Sequence, residues 1–312
     1  MDAAPYTTLD ALLDMRRYCH DLPSSLRLVQ RGPQSGRQLS RLRGRGIDFD
    51  QVRLYQPGDD IRNIDWRVTA RTRKAHTKVF NEERERPVFV LCEQSTRLFF
   101  GTQQRFKSVL AAEAAALIAW MALAHNDRIG GMVFDDEGCH QVRPRRSRRA
   151  ILQLLGLLLK SNNALGPHTE NPPGNLSGEP LNLALRRSRE IIRPGSLLYL
   201  LCDHAAIDQA SLPLLTALGA HNDVVLLPLY DALEASLPSN PALEFIQGDQ
   251  RLSLNTTSSA LREAWAAQFL ARQQAWQKLA NHLRCGLQPV DTSRSAVAQL
   301  QQMLAVHARR HS

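Results

Sequence analysis

The chain has 312 residues, of which 43% are hydrophobic and 22% are charged. This composition is typical of a globular protein, and the length is sufficient for one large domain or two smaller ones with a real core. The net charge of +9 leaves nucleic acid, an acidic membrane surface and an acidic protein open as partners.

Targeting signals and disulfides are not predicted. No stretch approaches the ~18 to 20 apolar residues that span a bilayer, so we expect no membrane insertion. Residues 1–25 carry several aspartates and no continuous apolar core, which excludes a secretory signal. The five cysteines are scattered and form no C-x-x-C pair, so we expect a cytoplasmic protein.

The N-terminal part is predicted to hold one helix and then a β-rich subdomain. Residues 8–20 have helical spacing of apolar side chains, with Thr7 or Thr8 as N-cap. Residues 31–46 are rich in glycine and arginine, which indicates either an exposed basic loop or an anion-binding segment. Residues 47–80 contain strand and turn signals but few helix signals, so we predict a small antiparallel β-subdomain.

One run in this subdomain carries most of its chemistry, and its key residues are Tyr55, Pro57, Gly58, Asp59, Asp60, Arg62, Asp65, Trp66 and Arg71. Pro57 and Gly58 predict a type II turn. The carboxylates of the run can bind free backbone amides or pair with its arginines. We expect Trp66 and Ile64 to be buried, with the charges around them half-covered. The run is therefore either an ion-paired structural frame or a docking surface.

The rest of the chain alternates strands with helices, which predicts a parallel sheet covered on both faces. Residues 87–92 and 196–203 are continuous apolar runs, typical of strands buried on both faces. Further strands are predicted at 129–134, 140–142, 223–228, 243–246 and 251–254. Helices are predicted at 103–125, 147–160, 180–193, 206–219, 258–284 and 294–309. Residues 161–178 are predicted to form a long loop.

The run of Arg53 to Trp66, together with Gly44–Phe49, Thr69–Arg71 and Glu82–Glu85, resembles the bacterial family catalogued as domain of unknown function 58. The resemblance implies a doubly wound, mainly parallel α/β domain similar to the von Willebrand factor A domain, with a small β-rich subdomain near the N-terminus. It also implies a MoxR-type AAA+ ATPase as a partner. On this basis we divide the chain into an N-terminal helix (1–30), the β-rich subdomain (31–85) and the A-like domain (86–312).

The same resemblance assigns a Mg²⁺ site to the carboxyl ends of the central strands. Ser95 and Asp203 match its pattern, whereas Glu93 stands in place of an aspartate and Arg97 in place of a second serine. The threonine expected near residues 179–180 is missing. The metal site is therefore degenerate, and Arg97 is a candidate to pair with Glu93 or Asp203 instead of an ion.

Other chemistry leaves weaker signals. Five arginines between residues 143 and 149 indicate either a solvated helix start or a nucleic-acid surface, although no aromatic residues interleave with them. No G-x-S-x-G elbow and no G-x-x-x-x-G-K-[ST] loop occurs in the sequence. His204 beside Asp203 is the one suggestive pair, and we interpret it as a helix cap.

The sequence thus predicts a non-enzymatic, cytoplasmic adaptor without a cofactor, which works with a MoxR-type ATPase on an unknown client protein. Two alternatives stay open. One is a nucleic-acid-associated protein that uses its arginine clusters, and the other is a divalent-metal-dependent binding domain.

Overall fold

A computed structural model describes residues 5–19, 47–57, 59–82, 87–166, 179–247 and 250–310. The chain forms two compact units. One comprises residues 31–85, and the other comprises residues 1–30 together with 86–312. Gly58, the basic segment 31–46 and most of the predicted loop 161–178 lie outside the described residues, as does Glu83–Glu85 of the family pattern.

The helices are α1 (Leu9–Asp14), α2 (Trp66–Thr72), α3 (Lys107–Ala124), α4 (Arg148–Ala164), α5 (Glu179–Ile191), α6 (Ser211–Gly219), α7 (Ala232–Ala235), α8 (Ser259–Leu283) and α9 (Ala296–Arg310). The strands are β1 (Ile47–Leu54), β2 (His76–Glu82), β3 (Val88–Glu93), β4 (Ile129–Phe134), β5 (Cys139–Arg145), β6 (Leu197–Asp203), β7 (Asp223–Tyr230), β8 (Leu243–Gln247), β9 (Gln250–Leu254), β10 (Gly286–Leu287) and β11 (Val290–Asp291).

The small unit is built on one antiparallel pair, β1 with β2, whose register shifts once between Phe49 and Gln51. The other edge of β2 contacts the motif run, because Ile64 bridges to Thr77 and the Asp65 amide donates to the His76 carbonyl at 2.9 Å. The run therefore folds back along β2. The strands are antiparallel as predicted, but the 3-10 turn (Ile61–Asn63) and α2 that lie between them were not predicted.

A mainly parallel sheet forms the centre of the large unit. Its strand order is β10-β7-β6-β3-β4-β5, and β11 also pairs with β7. Strands β3, β4, β6 and β7 run parallel, whereas β5 is antiparallel to β4 at the edge. The predicted α/β class with a mainly parallel sheet is confirmed. The two short strands β10 and β11 were not predicted.

Side chains alternate between the two faces of the sheet, and each face has its own core. Val88, Val90 and Cys92 of β3 point into a core that includes α3, α4 and α9. Phe89 and Leu91 point into a second core that includes α5, α6 and α8. All six residues of β3 are buried, which explains why its sequence is continuously apolar rather than alternating.

Helix α3 lies in the first core and is buried over most of its length. Its 18 residues are long and apolar enough, by length and composition, to cross a membrane, and it is the one described helix of that kind. No stretch long and apolar enough to cross a membrane was predicted from the sequence. In the structure 89% of this helix is buried inside the large unit, because the helix packs against the sheet and against α4 and α9.

The N-terminal segment belongs to the large unit. The Thr7 amide donates to Asn162 Oδ1 at 2.9 Å, and Trp120 Nε1 donates to the Leu12 carbonyl at 3.1 Å. The predicted helix 8–20 is shorter than expected, since α1 ends at Asp14 and continues as a 3-10 helix from Met15 to Cys19. Because of these contacts, α1 is anchored against α3 and α4.

Gly130→Ala tests the close pairing of β4 with β5. A Cβ at this position would lie 2.6 Å from Pro144 N and 2.7 Å from the Val142 carbonyl oxygen. Since both atoms are backbone, we expect a loss of about 1 to 3 kcal/mol in the free energy of unfolding, measured by urea denaturation. Gly138→Ala is the control, because nothing lies within 4 Å of its added Cβ. Equal stability of the two variants would contradict the described pairing.

Candidate functional site

The carboxyl ends of the central strands bring acidic side chains together. Glu93 is the last residue of β3, and Asp203 is the last residue of β6. These strands are adjacent and parallel, so their last residues lie at the same edge of the sheet. Glu234 follows β7 on the short helix α7. Glu93 and Asp203 are buried, whereas the Glu234 side chain is 30% exposed.

A lysine lies among these carboxylates. Lys107, the first residue of α3, has only 1% of its surface exposed. Its Nζ donates to Asp203 Oδ2 at 2.5 Å and to Glu234 Oε1 at 2.7 Å, and it lies 5.7 Å from the centroid of the Phe100 ring. The ammonium thus contacts two anions and the face of an aromatic ring. We call the group formed by Glu93, Ser95, Lys107, Asp203 and Glu234 the rim.

The carboxylate oxygens of Glu93 and Asp203 already accept hydrogen bonds from the protein. Ser95 Oγ donates to Glu93 Oε1 at 2.5 Å, and the Asp203 amide donates to Glu93 Oε2 at 2.7 Å. Asp203 Oδ1 accepts from the Ala205 amide at 2.8 Å, and its other oxygen accepts from Lys107. The three residues predicted from the resemblance are therefore brought together, but they bind one another and the lysine.

This arrangement does not fit a divalent cation. Mg²⁺ requires an octahedron of oxygen ligands at about 2.0 to 2.1 Å. Here the Lys107 ammonium donates to Asp203 Oδ2, and the Ser95 hydroxyl and the Asp203 amide each donate to one oxygen of Glu93. Across the described ranges, no group of three or more histidine, cysteine or acidic side chains could hold a metal. A bound ion would have to displace a buried positive charge.

The pKa values of the rim follow from burial and from these pairs. Burial, assisted by the charge of Asp203, raises the pKa of Glu93 to about 6. Burial also raises the pKa of Glu234. Burial alone would lower the pKa of Lys107, but the charges of Asp203 and Glu234 outweigh this effect and raise it. Lys107 therefore stays protonated at neutral pH.

His204 does not have the role that the sequence indicated, whereas the pairing of Arg97 with Glu93 or Asp203 stays a prediction. Arg97 Nη1 donates to the Ala205 carbonyl at 3.1 Å, and Lys107 forms an ion pair with Asp203. The His204 ring stacks on Phe269 with centroids 4.7 Å apart, so the interpretation as a helix cap was wrong. Burial lowers the pKa of His204 to about 4.

A second carboxylate, Asp231, ties three segments together beside the rim. It is fully buried and accepts hydrogen bonds from the Thr102 amide at 2.9 Å and from the hydroxyls of Thr102 and Thr292. Burial alone would raise the pKa of Asp231, but these hydrogen bonds lower it. This cluster was not predicted from the sequence, because its members are far apart in the chain.

In the small unit, the carboxylates of the motif run stabilise its backbone. Asp59 accepts from Arg53 Nη2 at 2.8 Å and from the Gln56 amide at 2.9 Å, and the Asp59 amide closes a turn onto the Gln56 carbonyl at 3.0 Å. Asp60 caps the 3-10 turn. Asp65 caps α2 by accepting from the Arg67 and Val68 amides. These hydrogen bonds, that from Val68 first, lower the pKa of Asp65.

Several other side chains of the run face solvent, whereas Ile64, which we expected to be buried, is half-buried. Trp66 is 69% exposed and Ile61 is 66% exposed, so the expectation that Trp66 is buried was wrong. Pro57, Arg62 and Arg71 are exposed, and Tyr55 is half-buried. Trp66 is the first residue of the short helix α2 and follows the Asp65 cap directly. The run thus combines a fixed backbone with an exposed aromatic surface.

The fold and these two groups define a class of protein: an α/β protein with a mainly parallel sheet, a rim closed by a lysine, and a separate β-rich unit. The model of the family described as "Protein of unknown function DUF58" matches residues 51–275. This chain belongs to that family. The match includes both the motif run and the rim.

Relatives with similar sequences come from mycobacteria. The uncharacterized protein Rv1480 of Mycobacterium tuberculosis and the uncharacterized protein Mb1516 of Mycobacterium bovis are each 28% identical to this chain over 207 residues. The aligned region covers 66% of this chain and 62% of each relative. The match therefore spans less than two thirds of the relatives' length.

Two solved structures show distant likeness. The conserved hypothetical protein BatB from Bacteroides thetaiotaomicron has 14% sequence identity and a TM-score of 0.42, over 71% of this chain and 98% of that chain. Proximal thread matrix protein 1 from the mussel byssus has 11% identity and a TM-score of 0.31, over 71% of this chain and 69% of that chain.

Lys107→Met tests whether the ammonium stabilises the rim. The substitution leaves the buried Asp203 carboxylate without its cation, so we expect a loss of about 3 to 5 kcal/mol in the free energy of unfolding. Lys160→Met on the exposed side of α4 is the matched control, with an expected change within about 0.5 kcal/mol. Both are measured by chemical denaturation at neutral pH. If the two variants are equally stable, Lys107 does not hold the rim.

Glu93→Gln tests the raised pKa. An acid whose folded pKa lies above its unfolded value binds its proton more tightly in the folded state, so stability falls as pH rises from the unfolded to the folded pKa. With a folded pKa of about 6 against 4.5, the wild type should lose about 2 kcal/mol relative to Glu93→Gln between pH 4 and pH 7. Denaturation curves across this range measure it. A constant difference between the two proteins would exclude a raised pKa.

Proposed function

We propose that this protein is a non-enzymatic adaptor with a von Willebrand factor A-like domain. It acts in the cytoplasm with a MoxR-type AAA+ ATPase, and together they mature or remodel a client protein. The ATPase docks on the motif run of the small unit. The proposal rests first on one observation: Trp66 is exposed on a run whose backbone is fixed by three carboxylates.

Exposed tryptophans on a rigid backbone suit protein recognition. A large aromatic side chain buries much apolar surface on binding, and a fixed backbone limits the entropy lost in the complex. Arg62 and Arg67 are close to Trp66 in the sequence, and both are exposed. Arginine is enriched among the hot-spot residues of protein interfaces. The two readings of the run are therefore compatible, because the aspartates form the frame and the remaining side chains form the docking surface.

The rim supports a role without a reaction. Its carboxylates are occupied by Lys107, Ser95 and backbone amides, and all of its residues except Glu234 are buried. A substrate would have to break these bonds to reach them. For this reason we assign the rim to holding β3, β6, α3 and α7 together, and we take the alternative of a metal-dependent binder as the less favoured one.

The choice of an ATPase as partner comes from the family resemblance and from the sequence. The chain has no phosphate-binding G-x-x-x-x-G-K-[ST] loop, so energy for remodelling a client has to come from another protein. A MoxR-type ATPase is the partner that the resemblance implies. The client is identified by the same experiment, since it should be recovered with the complex.

Trp66→Ala tests the docking surface. Tagged wild-type and variant proteins are used for pull-downs from the native host in ATP and Mg²⁺, after nuclease treatment, and the MoxR-type ATPase is quantified by mass spectrometry. We expect the variant to lose about tenfold or more of the recovered ATPase, which corresponds to 1.4 kcal/mol or more. Its melting temperature should stay close to that of the wild type, since the tryptophan is exposed.

Ile246→Ala is the matched control, because Ile246 is a large apolar side chain with 64% exposure outside the motif run. It should recover as much ATPase as the wild type. Asp65→Ala should instead lower stability through loss of the α2 cap. The assignment is wrong if Trp66→Ala and Ile246→Ala recover the ATPase equally, or if the wild type recovers none.

A further inference from the structure

A groove on the large unit is lined by arginines. Strand β5 and helix α4 enclose about 520 Å³ between them, and Arg143, Arg145 and Arg149 line this space. All three are exposed. Because β5 is the edge strand of the sheet, the groove is open along that side of the unit. We call it the arginine groove.

The charge of the arginine groove is not balanced by its own lining. None of the residues that line it is acidic, and no ion pair within the described ranges involves Arg143, Arg145 or Arg149. Three guanidinium groups around one opening produce a positive potential that attracts an anionic partner. Guanidinium groups bind carboxylates and phosphates equally well in geometry, so charge alone does not distinguish the two.

The apolar floor of the groove favours a carboxylate-bearing peptide over a phosphate-bearing nucleic acid. Val142 and Leu157 contribute apolar side chains to the lining, and Val142 is buried while Leu157 is half-buried. Gly156 also lines the groove, and a Cβ added to it would meet nothing within 4 Å, so there is room for an incoming side chain. A peptide can fill such a floor with an apolar side chain, whereas a phosphodiester backbone carries none.

A second groove on the large unit is also lined by arginines and apolar side chains, and one of its arginines, Arg148, precedes Arg149 in the chain. It encloses about 390 Å³ and is lined by Leu13, Arg16, Arg17, Trp120 and Arg148. The Arg16 guanidinium lies 5.9 Å from the centroid of the Trp120 ring, and Trp120 is only 3% exposed. This aromatic ring is therefore not available for stacking on a nucleic-acid base, which single-strand recognition requires.

From these observations we infer that the arginine groove binds an acidic peptide segment of a partner protein. Carboxylates of the segment pair with Arg143, Arg145 and Arg149, and an apolar side chain between them packs on Val142 and Leu157. This surface lies in the large unit and is independent of docking through Trp66. The two proposals can therefore fail separately.

Fluorescence anisotropy with purified full-length protein tests the inference. The probe is a short synthetic peptide of aspartates and glutamates around one leucine, labelled with fluorescein. A matched peptide has serine in place of leucine, and a short DNA duplex serves as the competing polyanion. The variant is Arg145→Glu/Arg149→Glu. The control is Arg189→Glu/Arg193→Glu, which makes the same charge change at two exposed arginines outside both grooves.

We expect the leucine peptide to bind the wild type and to bind Arg145→Glu/Arg149→Glu about tenfold or more weakly. The control should change affinity by less than about twofold, because the remaining effect is screened long-range charge. The serine peptide should bind the wild type more weakly than the leucine peptide. Trp66→Ala should bind the leucine peptide as the wild type does, which separates this site from the docking surface.

Three results would overturn the inference. The first is no binding of the leucine peptide to the wild type. The second is an equal loss in the groove variant and the control, which indicates a general effect of charge. The third is tighter binding of the duplex than of the peptide, with the same loss on Arg145→Glu/Arg149→Glu, which assigns the groove to nucleic acid. Circular dichroism and melting curves of both variants verify that they are folded.

Discussion

The large unit depends on the ion pairs that the buried ammonium of Lys107 forms with Asp203 and Glu234. Adjacent parallel strands place Glu93 and Asp203 at one edge of the sheet, and α7 adds Glu234. Three carboxylates in a region of low dielectric repel one another and lose their hydration, so a compensating cation is needed. Lys107 supplies it at 2.5 Å from Asp203 and 2.7 Å from Glu234. A cation in the first turn of a helix is disfavoured by the helix dipole, so these carboxylates determine the position of the ammonium.

Because of this constraint, the groups that a partner can reach lie on the surface and not in the rim. A rim whose donors and acceptors satisfy one another stabilises the fold and offers little to a ligand. The exposed features are of a different kind: an aromatic side chain on a fixed run in the small unit, and a positive groove with an apolar floor in the large unit. Both suit the recognition of other proteins. They use different chemistry, so one chain can bind two partners or two segments of one partner.

Much of the fold could be predicted from the sequence, but the closing contact of the rim could not. Strands β3 and β6 are continuous apolar runs and were assigned correctly, and Glu93, Ser95 and Asp203 were correctly placed together. Lys107 was missed because it gives no local signal: it lies at the start of a helix, and only the fold brings it to Asp203. Helix α2 was missed because it has seven residues, too few for a periodic pattern. The burial of Trp66 was wrongly predicted from its hydrophobicity. In the structure Trp66 follows the Asp65 cap and is exposed.

The most direct test of the central claim is a crystal structure of this protein grown in millimolar Mn²⁺, with data collected at the manganese absorption edge. The account predicts no anomalous peak among Glu93, Ser95 and Asp203, and it predicts that Lys107 Nζ lies within hydrogen-bonding distance of both Asp203 and Glu234. An anomalous peak coordinated by Asp203 and Ser95, with the Lys107 side chain turned away, would contradict it.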